Sequence, residues 1–138
     1  MYPYKKLNWY PHMMPADVAI WERFIDNFPY LYDSVEYDVH VGTVPAFVLE
    51  HDDKTMRGEI PLYKRKIDVV GHSELNLDII ELKPRAGMAA IGQIKGYTTL
   101  YERDMKPTKK PRGVIITDTA DSDVKEIAKQ EGIKIIEV

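Results

Sequence analysis

Residues 66–83, KIDVVGHSELNLDIIELK, constrain this chain more than any other stretch. Two runs rich in β-branched and aliphatic residues, each of strand length, flank GHSELN, whose Gly, Ser and Asn favour a turn. The pattern predicts an antiparallel hairpin with most of its side chains buried. Yet Asp68, Glu81 and Lys83 stand inside or at the end of those runs. A buried carboxylate costs several kcal/mol unless a partner or a cation compensates it. Residues two apart on a strand share a face, so Glu81 and Lys83 project together, and Asp68 lies within pairing range on the neighbouring strand. Two carboxylates and an ammonium can therefore meet at one strand end, either as a structural ion pair or as a reactive site.

The remaining chain supplies elements on both sides of this hairpin. PADVAIWERFIDNF has Pro15 and Asp17 suited to a helix start, and Val18, Trp21, Phe24, Ile25 and Phe28 recur at helical spacing. SVEYDVHV alternates Val35, Tyr37, Val39 and Val41 like a half-buried strand, and Gly42 stops it. AFVLE extends the same sheet, and HDDKTMRGE reads as a polar turn. Met88–Met105 reads as a second helix, with Gly92 and Gly96 on one side where a sheet or a second chain can approach closely. KPTKKPR breaks that helix, GVIITD is a short strand, DSDVKEIAKQ is a helix capped by Asp121 or Ser122, and IKIIEV closes as a strand. The order α-β-β-β-α-β-α-β predicts an α/β (α+β) fold, in which a mixed sheet is flanked by helices: three strands joined by short turns, then a parallel crossover.

At 138 residues the chain is long enough for a single core, expected over 15–138, with residues 1–14 as an N-terminal arm rich in Pro and Tyr. Cysteine is absent, which excludes disulfides and thiolate metal sites. The N-terminus has no continuous apolar core of a signal peptide, and no run is long enough for a membrane span, so a soluble, cytoplasmic chain is expected. The net charge of −3 argues against a uniformly cationic surface. Basic residues nevertheless cluster at Lys64-Arg65-Lys66, at Lys83 with Arg85, and at Lys106-Lys109-Lys110-Arg112, where they can meet a polyanion. His12, His40, His51 and His72 are scattered without ligand spacing.

Hard oxygen ligands such as Asp68 and Glu81 suit magnesium or manganese, which usually keep several waters and share phosphate oxygens with a substrate. A lysine beside them can orient or deprotonate the attacking water, or stabilise charge on a phosphorane. That chemistry fits phosphodiester hydrolysis.

Asp68, a gap of 12 residues, then Glu81-Leu82-Lys83 resemble the D…ExK pattern of the PD-(D/E)XK nuclease superfamily. The order helix, three-strand meander, helix, strand is similar to its restriction-endonuclease-like αβββαβ core. Gln93 and Tyr97, in QIKGY, resemble the QxxxY motif of the RecB-type exonuclease branch. Two departures stand out: Ile67, in place of proline, precedes Asp68, and Pro84 is expected to end its strand abruptly.

The resemblance implies that Asp68, Glu81 and the backbone carbonyl of Leu82 ligate the metal, with Glu22 as an additional ligand or a support behind it. It implies that Lys83 acts on water and phosphate, and that Gln93 positions the lysine or the substrate. Tyr97, Arg85, Lys66, Lys109 and Lys110 are the candidate substrate contacts. The expected activity is a magnesium-dependent deoxyribonuclease leaving 5′-phosphates, with a RecB-type exonuclease preferred. At this size a small viral or mobile-element enzyme is expected. Alternatives are a Holliday-junction resolvase or another structure-specific endonuclease, in keeping with a homodimer, and a non-catalytic nucleic-acid-binding domain.

Overall fold

The computed structural model describes residues 1–45 and 64–138. The expectations for AFVLE, HDDKTMRGE, His51 and the first residues of LYKRKIDVV therefore lie outside the described residues. The elements run β1 (Tyr2–Pro3), α1 (Pro15–Asn27), β2 (Ser34–Val41), β3 (Arg65–His72), β4 (Leu77–Ala86), α2 (Met88–Met105), β5 (Pro111–Ala120), α3 (Ser122–Gln130) and β6 (Lys134–Glu137). The strands form one six-stranded sheet in chain order. β1 to β4 pair antiparallel, whereas β4–β5 and β5–β6 are parallel because α2 and α3 carry the chain back. The mixed sheet between helices is the architecture expected from the sequence.

Each face of the sheet has its own core. Ile20, Trp21, Phe24 and Ile25 of α1 pack with Val35, Tyr37, Val69, Ile80, Leu82, Val114 and Ile116. On the other face Ala90, Ile91, Ile94 and Tyr101 of α2 and Val124 and Ala128 of α3 pack with Ile79 and Ile115. Tyr4 and Tyr10 of the N-terminal arm are buried in the α1-side core, and Tyr2–Pro3 pairs with Val35 and Ser34 at the sheet edge. The glycines of α2 are not closely packed by the described residues of this chain: none of their atoms lies within 4 Å of a Cβ built at Gly92 or Gly96. At Gly71 a Cβ would lie 2.6 Å from the Tyr32 ring, so glycine is what lets Tyr32 lie on the sheet.

Two irregularities shape the sheet. Val35 and Tyr37 join the α1-side core, yet Val39 and Val41 join the α2-side core. A regular strand would send all four to one face. The change occurs at Asp38, whose φ of +53° is left-handed. The paired strand β3 switches at the same level, with Val69 on the α1 side and Ile67 on the α2 side. Second, the β3–β4 ladder ends at Val69↔Ile80, although β2–β3 continues to Val41↔Arg65 and β4–β5 to Ala86↔Ala120. The sheet therefore forks into a β2–β3 prong and a β4–β5 prong. Pro84 does not end its strand, which runs to Ala86. With β3 gone, this part of β4 is an edge, and an edge tolerates a residue that has no N–H.

Candidate active site

The fork leaves backbone N–H groups without strand partners, and two acidic side chains take their place. The Leu82 N–H donates to Asp68 Oδ2 at 2.9 Å, and the Asp68 N–H donates more weakly to Glu81 Oε1 at 3.4 Å. Glu81 is only 4% exposed and Asp68 is half-buried. Burial is the largest cause raising both carboxyls above their ordinary range, and their mutual repulsion raises Glu81 further. Lys83, next but one along β4, acts in the opposite sense on both. Leu82 N–H and C=O point to the same strand edge, so its carbonyl also faces the fork.

From the α2 side, Tyr97 faces the pair. Its hydroxyl is raised first by burial, then by the Glu81 and Asp68 charges, against which Arg65 works. Gln93 is exposed and lines a groove of about 330 Å³ with Arg65, Gly92, Gly96, Tyr97 and Leu100. From the α1 side, Asp17 is close enough to raise Asp68 electrostatically, and its own carboxyl, raised by partial burial, is lowered by Lys83. Lys66 stands exposed on one prong and Arg85 on the other.

Other candidates are not brought to the fork. Glu22 accepts a 2.9 Å hydrogen bond from the Tyr10 hydroxyl. Five residues separate it from Asp17, which is about 140° around a helix, so the α1 acid beside the pair is Asp17 rather than Glu22. Lys109 donates to the Ser73 carbonyl at 2.7 Å, in the β3–β4 turn. Lys110 precedes Pro111, which pairs with Leu77; Lys83 pairs with Thr117, six residues along, or about 20 Å away. Arg112 is engaged there too, in a fork on Asp78 at 2.7 and 3.0 Å, while Tyr32 donates to the same carboxylate at 2.6 Å. The sequence offered these lysines as neighbours of one site because it does not show which end of a strand a loop joins.

Sequence reasoning passed over three residues. Asp17 was legible only as a helix-start acid, Arg65 as one member of a basic run, and Asp38 as an ordinary strand position. His12 and His40, 28 residues apart in sequence, converge on Asp38 Oδ2 at 3.6 and 3.1 Å.

The donor set of Asp68, Glu81 and the Leu82 carbonyl is all hard oxygen and suits magnesium or manganese rather than a soft metal. Among the described residues no third His, Asp or Glu completes a metal-binding cluster. A cation held by two carboxylates retains open positions for water and phosphate oxygens. No helix among the described residues is long and apolar enough to cross a membrane.

Residues 48–138 match the family described as "Endonuclease NucS C-terminal domain". The matched span includes Asp68, Glu81, Lys83, Gln93 and Tyr97 and leaves out α1. Among solved structures, a repair endonuclease from Pyrococcus abyssi is 18% identical with a TM-score of 0.51, over 87% of this chain and 46% of that one. A complex of EndoMS with double-stranded DNA is also 18% identical with a TM-score of 0.51, over 96% of this chain and 49% of the other. The chain thus spans about half the length of the solved structures it matches. No curated protein matches it.

Proposed function

The chain belongs to the family of endonuclease NucS C-terminal domains, and from that premise we propose that it is the nuclease domain of a metal-dependent DNA endonuclease. The observation that carries this reading is the pair Asp68 and Glu81, buried at a strand fork with Lys83 beside them. Two carboxylates that share a low-dielectric gap repel each other unless a cation or protons neutralise them.

Asp68, Glu81 and the Leu82 carbonyl would hold magnesium or manganese. Bound there, the ion supplies counter-charge for the phosphate and makes water more acidic. The chain's own residues do the rest. Lys83 orients the attacking water or compensates the charge that develops on the phosphate oxygens. Tyr97 and Gln93 border the groove beside the pair and position the scissile strand, with Arg65 at the same groove. Lys66 and Arg85, one on each prong, meet flanking phosphates, so binding weakens with salt. Hydrolysis by a positioned water needs no covalent intermediate with the protein and leaves a 5′-phosphate.

The family description favours endonucleolytic cleavage over the RecB-type exonuclease suggested by Gln93 and Tyr97. That second reading keeps one support, since both residues border one groove at the site. A double-stranded or branched substrate cut on both strands would require two such domains, as in a homodimer.

The experiment incubates the protein with linear, covalently closed circular and four-way-junction DNA, in magnesium or in EDTA, beside Asp68→Ala. Magnesium-dependent cutting of circular DNA that disappears in the variant supports the endonuclease. Degradation of linear DNA alone selects the exonuclease. Binding in EDTA with no cutting of any substrate leaves a non-catalytic binding domain.

A further inference from the structure

Three non-glycine residues among those described have left-handed φ: His12 at 51°, Asp38 at 53° and Lys106 at 46°. Lys106 is the C-cap of α2, a common place for this conformation. The other two touch each other: His12 Nε2 lies 3.6 Å from Asp38 Oδ2, and His40 Nε2 lies 3.1 Å from the same oxygen. Left-handed backbone at a non-glycine residue persists only where the surroundings hold it, and aspartate is among the side chains that tolerate it best. The Asp38 side chain is 13% exposed; His40 is within hydrogen-bond distance of it, and the largely exposed His12 lies a little farther off.

The position of Asp38 gives that conformation a consequence. Tyr37 pairs with Val69 and Val39 with Ile67, so Asp38 lies level with Asp68 across the ladder. No residue is inserted on either strand, so this is not a bulge. Both strands instead change face between these pairs, as the core assignments of Tyr37 and Val39, and of Val69 and Ile67, record. A residue at the crossing belongs to neither core. β3 then turns away from β4, its ladder ends at Val69↔Ile80, and the Asp68 carboxylate takes up the Leu82 N–H.

We propose that Asp38 is a positioning residue for the site. Its left-handed backbone turns β3 across the sheet and so aims the Asp68 carboxylate at the Leu82 amide, beside Glu81. The effect on catalysis rests on Asp68 being a metal ligand; the effect on the Asp68–Leu82 contact does not.

The two parts are separable by experiment. Hydrogen exchange of the Leu82 amide, followed by NMR without metal, is compared among wild type, Asp38→Gly, Asp38→Asn, Asp38→Val and Asp68→Ala. Glycine and asparagine accept left-handed backbone and β-branched valine does not. Asp38→Val speeds Leu82 exchange about tenfold, as Asp68→Ala does, while Asp38→Gly and Asp38→Asn stay near wild type. Amides of Ile79 and Val114, deep in the sheet, serve as references, and Asp38→Ala replaces valine if that variant does not fold. Unchanged Leu82 protection in the valine or alanine variant overturns the proposal. So does equal acceleration of the reference amides, which marks a general loss of stability, or a glycine variant as damaged as valine. Manganese affinity by calorimetry follows the same order among the variants. Wild type that binds no manganese sinks the metal reading alone and leaves the exchange test to decide the positioning role.

Discussion

Asp68 and Glu81 lie on strands whose ladder has ended, and each carboxylate accepts a backbone N–H of the other's strand: Leu82 to Asp68 at 2.9 Å, Asp68 to Glu81 at 3.4 Å. The contacts that fix the two acids are thus the ones a continuing sheet would have used. The hydrogen bonds satisfy the fork's free amides but do not neutralise the acids, so burial and mutual repulsion persist.

Stability follows from those shifts. Both folded-state carboxyls are raised above their unfolded values, so the folded protein holds their protons more tightly. Their contribution is fully present below the unfolded carboxylate range and is lost as pH rises from about 4 into the neutral range, where they must ionise in place. Glu81→Gln removes that penalty. In metal-free buffer at pH 8 its melting temperature rises by about 4 °C or more, on the order of 1 kcal/mol, and the difference vanishes near pH 4. Magnesium or manganese raises the melting temperature of wild type but not of Glu81→Gln. Thermal scans across pH, with and without metal, check both.

Lys83 stands beside the pair without supplying an oxygen ligand. Lys83→Ala is expected to lower cleavage by about two orders of magnitude or more, the effect of removing one electrostatic stabiliser. DNA affinity in calcium and manganese affinity both remain within a few-fold of wild type. Parallel loss of metal binding would give Lys83 a different role.

The two α1 acids separate cleanly. Asp17→Asn removes a negative charge near Asp68 and is expected to weaken manganese binding about three- to tenfold. Glu22→Gln leaves metal affinity unchanged and weakens only the anchoring of the arm through Tyr10, by about 1 kcal/mol of stability. Calorimetric titration and denaturant unfolding of both variants distinguish the two.

At the far end of the sheet, Asp78 is 2% exposed and depends on Arg112 and Tyr32. Arg112→Ala leaves a buried carboxylate with Tyr32 alone and is expected to cost about 2–3 kcal/mol, below the roughly 3–5 kcal/mol of a fully buried pair because the guanidinium is half exposed. Unfolding in urea measures this, and manganese affinity is unchanged because the fork lies elsewhere.

Salt dependence sorts the basic residues. Lys66→Ala and Arg85→Ala each lower the slope of log affinity against log salt by about 0.9, the value for one phosphate contact. Lys109→Ala, whose ammonium holds the Ser73 carbonyl at the opposite end, leaves the slope unchanged.

Much of this protein was legible in its sequence, because periodicity and local chemistry are properties of short stretches. The 2-residue alternation of β2, the helical spacing of Trp21, Phe24 and Ile25, and the turn at Ser73–Asn76 depend on residues close in sequence. So does the nearness of Glu81 and Lys83, two apart on β4, whose charges act on each other. Asp68 was close enough across a short hairpin to be paired with them. What tertiary structure alone decided is which distant groups share that end. The sheet forks at Asp68, level with Asp38 thirty residues earlier, whose left-handed backbone no pattern of valines announces. The orientation of α1 against the sheet, set by the burial of Trp21 and Phe24, brings Asp17 to the acids and turns Glu22 towards Tyr10. The direction of β5 sends Lys109 and Lys110 to the opposite end. Local sequence specifies the elements and their faces, whereas the ends at which they meet depend on packing between residues far apart in the chain.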